Sequence, residues 1–70
     1  MMQAASAVSK KLYSHTIRTT FFDEHGNELG VGLVVEDADI FTILTQYPDR
    51  VEEMHRLFKR EVSRLAFWLN

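Results

Sequence analysis

The side chains that could bind a metal are few and lie far apart in the sequence. His15, His25 and His55 fall in a predicted strand, a turn and a helix, respectively. None has a second histidine four residues away or a cysteine companion, which are the patterns that make a zinc site persuasive. The histidines therefore predict no metal site.

The sequence pattern also lacks nucleophiles and phosphate-binding loops. The chain has no cysteine, its hydroxyl side chains are scattered, and no Gly-x-Ser-x-Gly elbow occurs. Gly26, Gly30 and Gly32 do not form the Gly-x-Gly-x-x-Gly pattern of a dinucleotide-binding turn. A chain of 70 residues has little interior for a small-molecule pocket of about 300 Å³ or more. We expect no catalytic residue, no cofactor and no enzymatic activity.

A row of basic residues occupies one side of the last third of the chain. Arg56, Arg60 and Arg64 are spaced i, i+4, i+8, and Lys59 lies beside them. On a helix, this basic row could bind phosphates or an acidic protein surface. A solvated helix face also explains it, because Glu52 precedes Arg56 by four residues in the order that favours an ion pair.

The C-terminal residues 65–69 are apolar around the whole circumference of a helix. Such a helix must be covered on several sides, and large exposed apolar patches usually mark interfaces. Phe67 and Trp68 are residue types that become binding hot spots. We therefore predict a partner-binding site made of the basic row together with Leu65, Phe67, Trp68 and Leu69. The alternative is that the apolar residues fold back under the N-terminal arm and complete the monomer core.

Composition predicts one small globular domain. Apolar residues make up 46% of the chain and charged residues 26%, which is the balance of an ordinary folded protein. No apolar window approaches the roughly 20 residues of a membrane span. The net charge of −2 argues against a general nucleic-acid binder. Its distribution is uneven, because six of the ten acidic residues lie between Asp23 and Asp39 and the last third is basic.

The N-terminal residues carry no apolar stretch of the kind that secretory signals require. Residues 1–22 are basic, rich in Ser and Thr and free of acids, a composition that also fits a mitochondrial transit peptide. The absence of cysteine is compatible with any compartment. We expect a cytoplasmic protein.

A β-hairpin is predicted from His15 to Val35. In its first strand, Ile17, Thr19 and Phe21 share one face. The residues from Asp23 to Glu28 then supply the turn, with a glycine in the left-handed position. The second strand alternates, so that one aliphatic face is predicted to meet the helices; it consists of Leu29, Val31, Leu33 and Val35. Gly30 and Gly32 lie on the other face, which indicates either an open twisted edge or a closely packed neighbour.

The second half of the chain predicts helices. Asp37 or Asp39 can cap a short helix over residues 40–47, although this segment is also β-prone and a third strand remains open. Pro48 ends that element, and Asp49 begins a longer helix that can run nearly to Asn70. The apolar stripe predicted for the longer helix consists of Val51, Met54, His55, Phe58, Val62, Leu65 and Leu69.

Together these patterns predict an α+β fold, a β-hairpin followed by a short helix and a long C-terminal helix (ββαα). Residues 1–13 are expected to form a flexible or short helical arm and residues 14–70 a single α+β domain. Dimerisation would complete so small a core, by helix packing or by pairing of open strand edges. The sequence favours a non-enzymatic module that binds and inhibits or bridges a larger protein. A nucleic-acid-binding regulator that uses the basic row is the alternative.

Overall fold

The chain forms a four-stranded antiparallel sheet covered on one face by a helix. The structure, a computed structural model, describes residues 4–13, 16–35, 38 and 40–66. Strands that follow one another in sequence are neighbours in the sheet, in the order β1-β2-β3-β4. The elements are β1 (Ala4–Tyr13), β2 (Thr16–Asp23), β3 (Glu28–Val35), β4 (Ile40–Thr45), a 3₁₀ turn (Pro48–Arg50) and α1 (Val51–Ala66).

The α+β class is confirmed, but the predicted hairpin with two helices is wrong. Residues 40–45 form the edge strand β4 in place of the predicted short helix. The segment is rich in β-branched and aromatic residues, and pairing with β3 satisfies its backbone groups. The strand is therefore favoured even though the apolar residues have helical spacing. The two proposed helix caps, Asp37 and Asp39, lie outside the described residues.

The N-terminal segment, expected as a flexible or helical arm, contributes β1. This strand pairs with β2 from Ala4 opposite Asp23 to Tyr13 opposite Thr16, with register shifts near both ends. Its small residue Ala7 packs against the core beneath the helix. The sheet is therefore twice as wide as the predicted hairpin.

The β2–β3 hairpin is confirmed, and its turn is organised by Asp23. The carboxylate of Asp23 accepts hydrogen bonds from the backbone N–H groups of His25 and Asn27, both at 2.8 Å, and from the Asn27 amide at 3.1 Å. Gly26 adopts the left-handed conformation that closes the turn, with φ of 83°. Burial alone would raise the pKa of the Asp23 carboxyl, but these hydrogen bonds hold the pKa below its ordinary value.

A β-bulge at the start of β3 decides which residues face the helix. Phe22 pairs with Glu28 and Phe21 with Gly30, so Leu29 is an extra residue on the bulged strand. The Thr45 hydroxyl binds the Leu29 carbonyl at 2.6 Å and so provides a partner for the irregular backbone. Beyond the bulge, side-chain alternation is displaced by one residue from the predicted phase.

This displacement reverses the predicted orientation of β3. Gly32 lies opposite Thr19 and Val34 opposite Ile17, on the face that α1 covers. Val31, Leu33 and Val35, predicted to meet the helices, share the opposite face and are only partly buried. Leu29 is buried as predicted, but only because it occupies the bulge.

The core lies between α1 and the glycine-bearing face of β3. Phe58 is fully buried, and its ring meets that of Phe21 edge to face at a centroid distance of 5.7 Å. A Cβ atom added at Gly32 would lie 2.8 Å from two atoms of the Phe58 ring. The close approach of a helix, one of the two explanations for the strand glycines, therefore accounts for Gly32. The buried apolar residues are Ile17, Phe21, Leu29, Val34, Met54, Phe58 and Leu65.

The long helix is confirmed in outline, with a different start and a narrower stripe. Pro48 opens a separate 3₁₀ turn, and α1 begins at Val51. Met54, Phe58 and Leu65 are buried as predicted, whereas Val51 and His55 are exposed. The predicted continuation through residues 67–70 lies outside the described residues.

We predict that Gly32→Ala destabilises the protein by about 1–3 kcal/mol, because the new methyl group overlaps the Phe58 ring. Urea unfolding measures the loss. The matched background is Phe58→Leu, in which a smaller side chain makes room for the methyl group. There Gly32→Ala should cost at least about 0.5 kcal/mol less; an equal cost in both backgrounds would contradict the packing described here.

Candidate functional site

The structure separates the residues of the predicted partner-binding site. Leu65 is buried in the core and is not available at the surface. Phe67, Trp68 and Leu69 lie outside the described residues. The exposed members are those of the basic row, namely Arg56, Lys59, Arg60 and Arg64.

Arg64 is held by a chain of hydrogen bonds that ties α1 to the sheet. Its Nε and Nη2 atoms donate to the Glu61 carboxylate at 3.1 and 3.2 Å. The Ser9 hydroxyl donates to the same carboxylate at 2.9 Å. Ser9 Oγ also lies 2.8 Å from Oγ1 of the buried Thr19, which must be the donor because the Ser9 proton is already used.

These bonds favour the charged forms of both Glu61 and Arg64. The hydrogen bonds from Arg64 and Ser9 outweigh the effect of burial and lower the pKa of the Glu61 carboxyl. The same carboxylate raises the pKa of the Arg64 guanidinium. Glu61 is therefore the residue that joins α1 to β1, and Arg64 holds its carboxylate in place, so phosphate binding by Arg64 would compete with this ion pair.

The rest of the basic row lies among acidic residues. Glu52 and Glu53 line the same shallow depression on the outer side of α1 as Arg56 and Lys59. His55 borders it, and its ring also contacts that of Phe41 at a centroid distance of 5.4 Å. The outer side of the helix is thus a mixed-charge surface rather than a continuous cationic one.

A more continuous feature is the sheet face opposite α1, which we call the open face. It has no helix over it in the described part of the chain. Its apolar residues come from all four strands, and the most exposed is Leu44, with 68% of its surface accessible, followed by Val8 with 62%. The register places on this face the apolar residues Val8, Phe22, Val31, Leu33, Val35, Ile40 and Leu44.

The open face is broad for so small a protein. With strands about 4.8 Å apart and residues about 3.3 Å apart along each strand, six residues on four strands cover on the order of 400 Å². This area includes polar side chains such as Thr20 and Thr42 beside the apolar ones. Contiguous apolar patches of a few hundred Å² on small proteins commonly mark interaction sites. The open face is therefore the strongest candidate contact surface among the described residues.

The open face also carries charged residues. Lys10 lies directly opposite Arg18 across β1 and β2, in the same cross-strand row as Leu33, and both charged residues are exposed. Glu28 is exposed near the hairpin turn, opposite Phe22. The face thus has a cationic pair on β1 and β2 and an anionic residue near the turn.

An open groove borders this face where β3 and β4 meet the start of the 3₁₀ turn. Its volume is about 600 Å³, and its lining includes Leu29, Leu44 and Tyr47. The groove is wide open to solvent, unlike an enclosed small-molecule site. Its lining also includes the polar residues Glu28, Thr45 and Gln46, so it is a mixed surface.

The histidines that are described lie apart from one another. His25 is in the hairpin turn, with its Nε2 atom 3.6 Å from a Glu24 carboxylate oxygen, and His55 is on α1. His15 lies outside the described residues. Within the described ranges, no three metal-ligating side chains converge on one point.

The open face was missed at the sequence level, although a signal for it exists. Residues 40–44 have helical spacing, but their β-branched and aromatic side chains, Ile40, Phe41, Thr42 and Ile43, favour a strand. The inversion of β3 has a weaker signal, since nothing in residues 28–30 other than Gly30 indicates a bulge. The exposed Val8 stands in a segment that composition alone describes as an arm.

Comparison with known proteins adds no relative to this description. No protein-family model, no curated protein and no solved structure matches the chain. Among the described residues, no helix combines the length and apolar character needed to cross a membrane.

We predict that Glu61→Gln makes the stability of the protein less sensitive to acid. The pKa of Glu61 is lowered in the folded state, so its contribution is present above the ordinary pKa of a glutamate, 4.5, and is lost as the pH falls through the folded-state value. Urea unfolding measured between about pH 6 and pH 3 should therefore show a shallower decline for the variant.

Ser9→Ala is the matched control, because it removes a neutral donor and leaves Arg64 on the carboxylate. It should keep most of the acid sensitivity. Identical pH profiles for Glu61→Gln and the unmodified protein would show that the ion pair does not form in solution.

Proposed function

We propose that the protein is a small non-enzymatic interaction module that acts as a homodimer and binds a larger protein through its open face. The observation that carries the proposal is the apolar surface of that face, contributed by all four strands and opposite the helix-covered core. Leu44 and Val8, two large apolar side chains, are mostly accessible there. Burying such surface against a partner is favourable by about 25 cal/mol per Å².

The charges on the open face indicate the chemistry of the partner. Lys10 and Arg18 form a cationic pair there, on a chain whose net charge is −2. Such a pair favours a protein whose apolar contact surface includes acidic residues, because complementary charges steer association and fix the orientation of the complex. The anionic Glu28 near the hairpin turn disfavours a polyanion that spans the whole face.

A double variant tests the open face without disturbing the core. Val8→Glu combined with Leu33→Glu places two acids on the open face. Leu33 lies directly opposite Arg18, so an acid there gains a cross-strand partner. We expect the full-length tagged variant, checked by circular dichroism, to capture at least about tenfold less of the protein retained by the unmodified chain.

The matched control is Arg56→Gln with Arg60→Gln, which changes two exposed residues on the opposite side of the molecule. This control should retain the partner. Loss of the partner in the helix variant with retention in the sheet variant would overturn the proposal. Trp68→Ala tests the predicted C-terminal site separately. If only this variant loses the partner, the binding site lies at residues 67–69 and not on the open face.

The nucleic-acid alternative rests on the exposure of Arg56, Lys59 and Arg60. It expects binding that weakens steeply with salt, since each neutralised phosphate releases counterions. Titration of labelled single- and double-stranded DNA and RNA at low and at physiological salt measures this dependence. Because Glu52 and Glu53 lie beside these cations, we expect no specific binding of nucleic acid. Binding with a steep salt dependence that Arg56→Gln with Arg60→Gln abolishes would support the alternative.

A further inference from the structure

The two outer strands of the sheet differ in how they are protected. β1 carries Lys10 and Lys11 and is irregular near both ends, and charges and bulges of this kind hinder pairing with another strand. β4 has none of these devices. Its six residues, Ile-Phe-Thr-Ile-Leu-Thr, include no charge and no proline, and its pairing with β3 is regular throughout. The outer edge of β4 has no partner strand among the described residues.

The side chains along β4 are unusually apolar for an edge strand. Ile40 is 43% accessible and Phe41 45%, next to the still more exposed Leu44. An exposed, regular and uncharged strand edge is a template for the addition of another strand. The helix lies nearer the opposite edge of the sheet, since α1 contacts β1 more extensively than β4.

We infer that a second copy of the chain pairs antiparallel along β4, with Thr42 on the two-fold axis. This inference rests on the homodimer of the proposed function and specifies its interface. The axis runs perpendicular to the sheet, so the two copies form one eight-stranded sheet. Both helices then lie on one side, and the two open faces join into a single surface on the other.

Register selects Thr42 as the central residue. Residues that face one another across an antiparallel pair lie on the same side of the sheet, so the two-fold axis must pass through a residue and not between two residues. Thr42 and Ile43 are the two central residues of β4, so an axis through either of them keeps most of the strand paired. With Thr42 central, Ile40 faces the partner's Leu44 and Phe41 faces the partner's Ile43. With Ile43 central, Phe41 would face the partner's Thr45. Only the first arrangement pairs each exposed apolar residue of β4 with another apolar residue.

The size of this contact sets the expected strength of the dimer. Pairing over five residues covers less area than the roughly 1,200 Å² that marks the lower end of stable interfaces. We expect a weak dimer that dissociates in the micromolar range, because so small a contact lies at the low end of specific interfaces. Sedimentation velocity over a concentration series detects an equilibrium of this kind.

A cysteine scan tests the axis directly, because the chain contains no cysteine of its own. Thr42→Cys should form a disulfide-linked dimer under mild oxidation, since directly opposite Cβ atoms lie about 4.5–5.5 Å apart, close to disulfide geometry. Thr20→Cys is the control, because Thr20 lies on the open face but on the interior strand β2. It should remain monomeric on a non-reducing gel.

A charge exchange tests the register. Ile40→Lys with Leu44→Lys sets like charges opposite one another twice per dimer, whereas Ile40→Lys with Leu44→Glu sets opposite charges there. Both variants lose the same two apolar residues. We expect the lysine pair to dissociate the dimer at least about tenfold more readily than the lysine–glutamate pair.

Three results would overturn the inference. The unmodified chain could sediment as a monomer at about 100 μM, well above the expected dissociation constant. Thr20→Cys could cross-link as readily as Thr42→Cys, or the two charge variants could dissociate equally. The second result would indicate that the open faces stack on one another. Failure here leaves the partner-capture experiment with Val8→Glu and Leu33→Glu unaffected, so the edge and the open face are judged separately.

Discussion

The contact between the Phe58 ring and the backbone of Gly32 fixes how the helix sits on the sheet. The Phe58 ring can lie this close to β3 only because position 32 has no side chain, and a Cβ there would overlap the ring. The glycine-bearing face of β3 is therefore the inner face. Because side chains alternate along a strand, the aliphatic residues Val31 and Leu33 must then point away from the helix.

This constraint accounts for the distribution of chemistry on the surface. The helix side is closed by core packing and by the link from Arg64 through Glu61 to Ser9, and its outer surface is a mixture of charges. The other side of the sheet keeps apolar residues that the single helix cannot reach. Among the described residues, the four-stranded sheet has one helix and therefore one covered face, so burial of the other face needs a second layer from outside these residues.

Several elements could be predicted from sequence because their signals are local. The β2–β3 hairpin follows from alternation and from a turn with Asp23 and Gly26, and the presence of a helix after Pro48 follows from the spacing of Met54 and Phe58. These features depend on contacts between residues that are close in the chain. The physical rules for turns and for helical periodicity were sufficient there, although the helix begins two residues later than predicted.

The remaining errors have a non-local cause. Whether residues 40–45 form a helix or a strand depends on the free edge of β3, and the fate of the N-terminal residues depends on the other edge of β2. The phase of β3 depends on one extra residue at Leu29, which exchanges the two faces of the strand. The open face could not be found without knowing which residues of β3 face the helix, because the simple alternation of β3 had assigned Val31, Leu33 and Val35 to the core.

The orientation of β3 is tested most directly by nuclear Overhauser contacts from the Phe58 ring in the ¹³C,¹⁵N-labelled protein. The packing of the Phe58 ring on Gly32 predicts contacts from the ring protons to the Gly32 Hα atoms and to Phe21, and none to the methyl groups of Val31 or Leu33. Strong contacts from Phe58 to those methyl groups would place the aliphatic face under the helix. They would contradict both the packing and the open face that follows from it.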